Sequence, residues 1–427
     1  LLASIGVNYG IGCKLTELPH RHGRQRWLTI GLVFNLALLA YFKYALFFLG
    51  NFNAVWGTRF AADQILLPLG ISFFTFQQIA FLIDAYRGEV DKTAFSHYCL
   101  FVSFFPQLIA GPIVHHGELL PQLRHRIEGR RFAPWLATGV TLFTIGLFKK
   151  VVLADHLGSF VAPVFDAAAS GQHLTMLVAW LGTLAYTFQL YFDFSGYSDM
   201  AIGLASLFGL RLPLNFNSPY KATNISDFWR RWHITLSRFL RDYLYIPLGG
   251  NRKGHLRRYV NLILTMLLGG LWHGAGWNFV LWGGLHGGLL AIHHGWRRLT
   301  SGRVQNPTPS AIRSWLSRFL TLVVVSLCWV CFRAENLTAA IRLWEAMCGA
   351  QTGGPSLIGA AEITLNWQSA LLWIAASWLI VWHCPNSRQV VVRFNPAEQD
   401  RPRTQQRPNH PQRLQWLPTP LHGATCA

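Results

Sequence analysis

His273 is the residue of this sequence whose surroundings most clearly suggest chemistry. It interrupts an apolar segment at "LGGLWHGAGWNF" and is flanked by glycines at positions 269, 270, 274 and 276. An ionisable side chain at membrane depth is costly and usually functional, and the glycines leave room for a substrate beside it. A structural histidine is the alternative reading. His286 is a weaker candidate of the same type.

His233 lies in a basic stretch, "FWRRWHITLSRFLRDYLYIPLGGNRKG", which holds six basic residues and one acid. Helical periodicity over residues 227–243 places aromatic side chains on one face and arginines on the other, with Ser226 as N-cap. This pattern predicts an interfacial amphipathic helix with the imidazole at the edge of the apolar face. Arg230 and Arg231 then suit either a phosphate-bearing donor or lipid headgroups. A plain membrane anchor remains the alternative for the whole stretch.

The segment "DFSGYSD" is the third polar feature within apolar surroundings. Its candidate binding residues are Asp193, Ser195 and Tyr197, followed by Asp199. Such a cluster near a membrane face suits either the mouth of an internal path or a structural hydrogen-bonded turn.

No metal site is predicted. His115–His116 and His293–His294 are adjacent pairs, and neighbouring side chains on a helix point about 100° apart, so neither pair converges on one ion without partners elsewhere. Cys328 and Cys331 lie in an apolar helix, where two packed thiols are favoured over a redox or metal site.

The elements that must position these residues are membrane helices. The chain is 52% hydrophobic and 13% charged, whereas soluble domains are about 25% charged. Its net charge of +19 comes from short basic runs between apolar segments, which indicates the positive-inside pattern and not a nucleic-acid surface. Candidate helices are 27–50, 133–154, 174–193, 259–272, 275–294, 315–332 and 367–384.

Two further apolar segments, 64–84 and 97–114, are interrupted by proline and glycine and are expected to be buried around an internal chamber. Residues 1–384 form one predicted membrane domain, and residues 385–427 form a polar tail rich in Pro and Arg. The apolar start without Met and the polar end together predict a native chain that extends beyond both ends. Transporters usually show repeated halves, and the absence of an internal repeat disfavours a non-catalytic transporter.

Long motifs of this chain resemble the membrane-bound O-acyltransferase (MBOAT) family, and specifically its alginate O-acetylation branch. They are "PLGISFFTFQQIAFLIDAYRGE", "FFPQLIAGPIV", "QLYFDFSGYSDMAIGLASLFGLRLPLNFNSPYKATNISDFWRRWHITLSRFLRDYLYIPLGGNRKG", "LGGLWHGAGWNFVLWGGLHG" and "WVCFRAENLTAAIRLWEAM". The resemblance runs from about residue 1 to residue 396. It implies an all-α polytopic membrane protein, a helical bundle with an internal tunnel and interfacial amphipathic helices.

The resemblance also implies roles for the two histidines. His273 matches the family's invariant histidine, and His233, forty residues earlier, matches a polar position that is His, Asn or Asp in the wider superfamily. We expect His273 to act as general base and His233 to orient or polarise, including as an oxyanion donor.

The implied reaction passes an acetyl group across the bacterial inner membrane. The donor is expected to be acetyl-CoA as a substrate, with no bound cofactor. The expected partners are membrane lipid and periplasmic acetyltransferase proteins that esterify an exported polysaccharide such as alginate, with no nucleic acid involved. Cellulose, peptidoglycan and teichoic acid are alternative acceptors.

Overall fold

The computed structural model describes residues 1–61, 65–109, 111–124, 132–300, 310–350 and 366–394. Within these ranges the regular elements are helices, and no strand is present. The first helices are α1 (Leu2–Glu17), α2 (Arg21–Leu39), α3 (Ala45–Trp56), α4 (Ile71–Arg87), α5 (Phe95–Ser103), α6 (Phe105–Leu108), α7 (His116–Arg124), α8 (Phe132–Phe148) and α9 (Asp155–Ala169). They continue as α10 (Met176–Leu207), α11 (Ile225–Arg231), α12 (Ile234–Leu240), α13 (Gly254–His273), α14 (Trp277–Thr300), α15 (Ala311–Arg333), α16 (Leu337–Met347), α17 (Trp367–His383) and α18 (Ser387–Phe394).

Three of the described helical segments are long and apolar enough to cross a bilayer, at Arg21–Trp56, Ala133–Ala169 and Ala311–Arg333. The first two run through a π-helical turn, at Ala40–Tyr44 and Lys149–Ala154. Single π turns inside α-helices are frequent at functional sites. These features confirm the prediction of an all-α polytopic membrane protein.

Close backbone packing joins the central helices. A Cβ atom on Gly270 of α13 would overlap the carbonyl oxygen of Phe279 in α14, and one on Gly283 would overlap that of Met266. A Cβ atom on Gly287 would lie 2.9 Å from Cα of Ile263. Small residues of this kind let membrane helices approach until their backbones touch.

The helix predicted over residues 227–243 is broken in the structure, so that prediction is wrong in its continuity. It divides into α11 and α12, and a π turn at Arg241–Tyr245 follows. The N-cap is Asn224, whose Oδ1 accepts from the amide of Asp227 at 2.8 Å, and not Ser226. Its aromatic face is buried within the core, with Trp229 5% and Trp232 3% exposed.

The first residues of the predicted polar tail form α18. The Ser387 hydroxyl at its start donates to Asp199 at 2.5 Å, and Val391 is buried in the core. Residues 395–427 lie outside the described part of the chain.

Candidate active site

His273 lies at the last residue of α13, where the chain leaves the helix. Gly274 follows it in an extended conformation, with φ −159° and ψ 148°. His273 is half-buried as a residue, and within the described residues no hydrogen bond engages its two ring nitrogens. The helix end therefore presents an imidazole whose nitrogens are available to a substrate.

His233 occupies the break between α11 and α12 and has a left-handed backbone, with φ 43° and ψ 54°. Non-glycine residues are uncommon in this region, and Asn, Asp and His are the types enriched there. Asn215 holds the break, because its carbonyl oxygen accepts from the amide of Ile234 at 2.9 Å. The side chain of His233 is buried, only 1% exposed.

The hydrogen bonds around Asn215 assign the tautomer of His233. Oδ1 of Asn215 accepts from the Thr235 amide at 3.3 Å and from its hydroxyl at 2.9 Å, which identifies this atom as the oxygen. His233 Nδ1 lies 3.1 Å from the same oxygen and must therefore carry the hydrogen. Nε2 is buried without a hydrogen-bond partner in the described structure, so the neutral ring presents a lone pair at Nε2. The predicted use of His233 as an oxyanion donor would require it to be protonated.

The two candidate histidines face each other. Their ring centroids are 6.3 Å apart with an interplanar angle of 57°. The His273 ring makes edge contacts with Trp282 at 5.2 Å and with Phe332 at 5.1 Å. The structure thus places both predicted catalytic residues in one aromatic-walled site, although they are forty residues apart in sequence.

His286 lies behind this site. It is fully buried, and its Nδ1 accepts from the indole nitrogen of Trp229 at 3.3 Å. Its ring packs against Trp282 at 4.9 Å. This arrangement supports the aromatic wall, because Trp282 is shared between His286 and His273.

Arg230 and Arg231 both turn toward Asp227. The Nε atom of Arg231 lies 3.0 Å from Oδ1 of Asp227, and that of Arg230 lies 3.9 Å from it. Burial lowers the pKa of the Arg230 guanidinium, and the Asp227 charge opposes this shift. Each arginine side chain is 33% exposed, so both remain accessible cations at the end of α11.

The segment "DFSGYSD" is not a turn, because it lies in the middle of the continuous helix α10. Asp193 pairs with Lys150 at 2.9 Å, and Ser195 is buried. Tyr197 is partly buried against core residues of the N-terminal helices. Asp199 pairs with Lys149 at 2.6 Å. These interactions tie α10 to the π turn at 149–154.

The residues of α10 that reach the site are Phe194 and Ser198, which the sequence did not single out. The Phe194 ring makes an edge contact with His233 at 4.7 Å, and the Ser198 hydroxyl accepts from Asn215 at 3.3 Å. Phe194 and Ser198 are four residues apart, and residues at this spacing share one helix face. The spacing could have indicated from the sequence that both belong to one site.

The histidine pair at 115–116 has a partner that the sequence did not reveal. His115 Nε2 lies 2.5 Å from the Asp84 carboxylate, and His116 Nδ1 lies 3.4 Å from it. The possible ligand atoms of the three residues lie within 4.8 Å of one another. The absence of a metal site therefore stays a prediction.

Comparison with known proteins identifies the family of this chain. The membrane-bound O-acyltransferase family model matches residues 28–335. The chain is similar to a peptidoglycan O-acetyltransferase of Helicobacter pylori, 48% identical over 374 residues that make up 82% of this chain and 69% of the relative. It is also similar to a probable alginate O-acetylase AlgI of Azotobacter vinelandii, 48% identical over 81% of this chain and 68% of that protein.

A teichoic acid D-alanyltransferase of Streptococcus thermophilus is 31% identical over 55% of this chain and 59% of its own length. The family match spans the aromatic wall and both site histidines, from α2 to the end of α15. This chain belongs to the membrane-bound O-acyltransferase family and is an O-acyltransferase.

Proposed function

We propose that this protein transfers acetyl groups from a cytoplasmic donor, acetyl-CoA, across the bacterial inner membrane for O-acetylation of an exported polysaccharide such as alginate. The observation that supports it most is the pair of facing histidines enclosed by aromatic side chains. Periplasmic acetyltransferase proteins are the proposed partners that complete the esterification, and membrane lipid surrounds the chain.

The proposed reaction is the transfer of an acetyl group from a thioester to a hydroxyl at His273. The imidazole accepts the proton of the attacking hydroxyl, and the hydroxyl oxygen bonds to the carbonyl carbon of the acetyl thioester. The carbon–sulfur bond then breaks, and the thiolate leaves with the proton that His273 had accepted. The Nε2 lone pair of His233 accepts a hydrogen bond from a second hydroxyl of the acceptor and so holds the attacking hydroxyl beside His273.

The apolar wall has a function in this reaction. Trp282 is 1% exposed, and Phe332 packs against both Trp282 and His273. A site lined by such side chains keeps bulk water from the thioester and strengthens electrostatic interactions within it. Hydrolysis of the donor is thereby suppressed.

Peptidoglycan is the second candidate acceptor. A peptidoglycan O-acetyltransferase and a probable alginate O-acetylase are equally similar to this chain, at 48% identity. Because the two histidines act on an acyl group and a hydroxyl, the arrangement serves either glycan. The acceptor is therefore chosen by the partner that receives the acetyl group.

The test is expression in a bacterium deleted for its own envelope O-acetylation genes, with the periplasmic partners restored. Ester-linked acetate is released from purified alginate and from peptidoglycan by mild alkali and measured separately. We expect ester acetate on one glycan with the native chain and none with His273→Ala at equal protein level. Equal ester acetate with both chains would contradict the proposal.

A second measurement separates the enzyme from a transporter. Inverted membrane vesicles receive acetyl-CoA labelled in the acetyl group, and the label is followed into esters and into free acetate within the vesicles. Ester label that depends on His273 supports acyl transfer. Free label that accumulates equally with His273→Ala would indicate a transport activity instead.

A further inference from the structure

The C-terminal end of α13 is capped from another helix. The last carbonyl groups of a helix have no partner within it. Here the Tyr44 hydroxyl donates to the carbonyl oxygen of Leu271 at 2.9 Å, and the Lys43 ammonium donates to that of Trp272. Both donors come from the π turn at 40–44, and both accepting carbonyls directly precede His273.

Lys43 is a cation within an apolar segment. It lies in the helical span Arg21–Trp56, and a charge at such a depth is costly and usually functional. Its ammonium also donates to the Ser72 hydroxyl at 3.0 Å. An ammonium has three N–H donors, and these two acceptors use two of them.

The partners of Lys43 differ from those of Lys149, a half-buried lysine in the π turn at 149–154. Lys149 is neutralised by Asp199, with a nitrogen–oxygen distance of 2.6 Å. In the described part of the chain no carboxylate pairs with Lys43. Its contacts are a carbonyl, a hydroxyl and two rings, those of Trp272 at 5.6 Å and Tyr44 at 5.8 Å from nitrogen to centroid. The Trp272 ring also contacts the His273 ring, with ring centroids 4.9 Å apart.

The positive charge of Lys43 lies beside the partial negative charge at the C-terminus of α13. The C-terminus of a helix carries the equivalent of about half a negative charge, and α13 presents this end to the acyl group. The carbonyl oxygen of a thioester becomes negative when a hydroxyl attacks its carbon. The helix end alone would oppose that change, whereas a fixed cation beside it favours the change.

We propose that Lys43 is a positioning residue for acyl transfer. It holds the end of α13 so that His273 keeps its place, and its positive charge lowers the cost of the negative charge that develops on the acyl oxygen. This inference rests on the proposed function, because it assumes an acyl donor at His273.

The test uses full-length protein in proteoliposomes, with labelled acetyl-CoA and the periplasmic partner as probes. Lys43→Arg keeps charge and donor, Lys43→Gln keeps a donor only, and Lys43→Met keeps neither. We expect Arg to retain activity within about tenfold, while Gln and Met lose about 10²-fold in kcat with the KM for acetyl-CoA nearly unchanged. Tyr44→Phe removes the neighbouring cap without changing charge and should lose only a few-fold.

Chemical rescue separates charge from folding within one protein. Lys43→Cys is treated either with an aminoethylating thiosulfonate, which restores an ammonium, or with a neutral propyl reagent of the same size. Recovery with the charged reagent alone supports the proposal, and the native chain treated identically is the control for its other cysteines. Equal effects of the two reagents, or a Gln variant as active as the Arg variant, would overturn it.

The failure of this inference differs from failure of the proposed function. If His273→Ala retains activity in the same assay, the proposed function itself is wrong. If His273→Ala is inactive while Lys43→Met is fully active, only the role of Lys43 is wrong. Lys14→Met, an exposed lysine of α1 paired with Glu17, should match the native chain throughout.

Discussion

His273 and His233 face each other, yet the chain holds them in opposite ways. His273 ends a regular helix, is half-buried, and makes no side-chain hydrogen bond within the described residues. His233 sits on a left-handed backbone, is 1% exposed, and is bound through Nδ1 to Asn215. One ring is thus left available for proton transfer, while the other is fixed in tautomer and direction.

Removal of the available ring should have the largest effect. His273→Ala should lower acyl transfer by about 10²–10⁴-fold, the usual contribution of a general base. Helix α13 tolerates alanine at its end, so the amount of membrane-inserted protein should be unchanged. The measurement is ester formation per protein, with the level checked by immunoblot of washed membranes. Normal activity in this variant would refute the assignment of His273.

The fixed ring should give a smaller loss. His233→Ala removes the Nε2 lone pair and also strains the backbone, because a left-handed conformation costs most residues roughly 1–2 kcal/mol. We expect about a 10–10²-fold loss of activity together with a lower melting temperature in detergent.

His233→Asn separates loss of the imidazole from strain in the backbone. Asparagine tolerates positive φ, so this variant should keep the native melting temperature and retain more activity than alanine does. The resemblance to the family implies His, Asn or Asp at this position, and these are the types that the backbone conformation favours. Full activity in both variants would reduce His233 to a structural residue.

Asn215→Ala should have a smaller effect still. It leaves both imidazoles in place but removes the oxygen that assigns the tautomer of His233 and accepts from Thr235. We expect a loss of several-fold in kcat, because a fraction of His233 then presents an N–H at Nε2. Ser198→Ala, which removes only an outer contact of Asn215, is the matched control. Equal losses in both variants would contradict the tautomer argument.

Chelation should have the smallest effect. Proton transfer is assigned to His273, and no proposed step needs a metal ion. The carboxylate of Asp84 already accepts from Tyr243 at 2.5 Å and pairs with Arg87 at 3.2 Å. Dialysis against EDTA should therefore leave kcat unchanged. Loss of activity that zinc restores would show that the cluster at Asp84 binds a functional metal.

The sequence predicted the helices, because apolar length is a local signal, and it singled out His273 as a polar residue among glycines. His233 was singled out by its basic stretch and by the resemblance to the family, and the catalytic roles of both histidines stay predictions. It did not predict the break at His233. The periodicity of residues 227–243 is continuous, and the break depends on Asn215, whose contacts form only on folding. The contact of Phe194 with His233 also forms only on folding and was not predicted. The acidic residues near Phe194 were among the predicted binding residues, and in the structure they pair with lysines.

The glycine seam between α13 and α14 has a consequence for turnover. Where Gly270, Gly283 and Gly287 bring two backbones into contact, no side chain can rotate to let the helices slide. We therefore expect the hairpin of α13 and α14 to move as one unit during turnover and to keep His273 in contact with Trp282. Any opening that admits a donor must come from helices that meet this hairpin through side chains, such as α4, whose Phe76 ring stacks on Trp272.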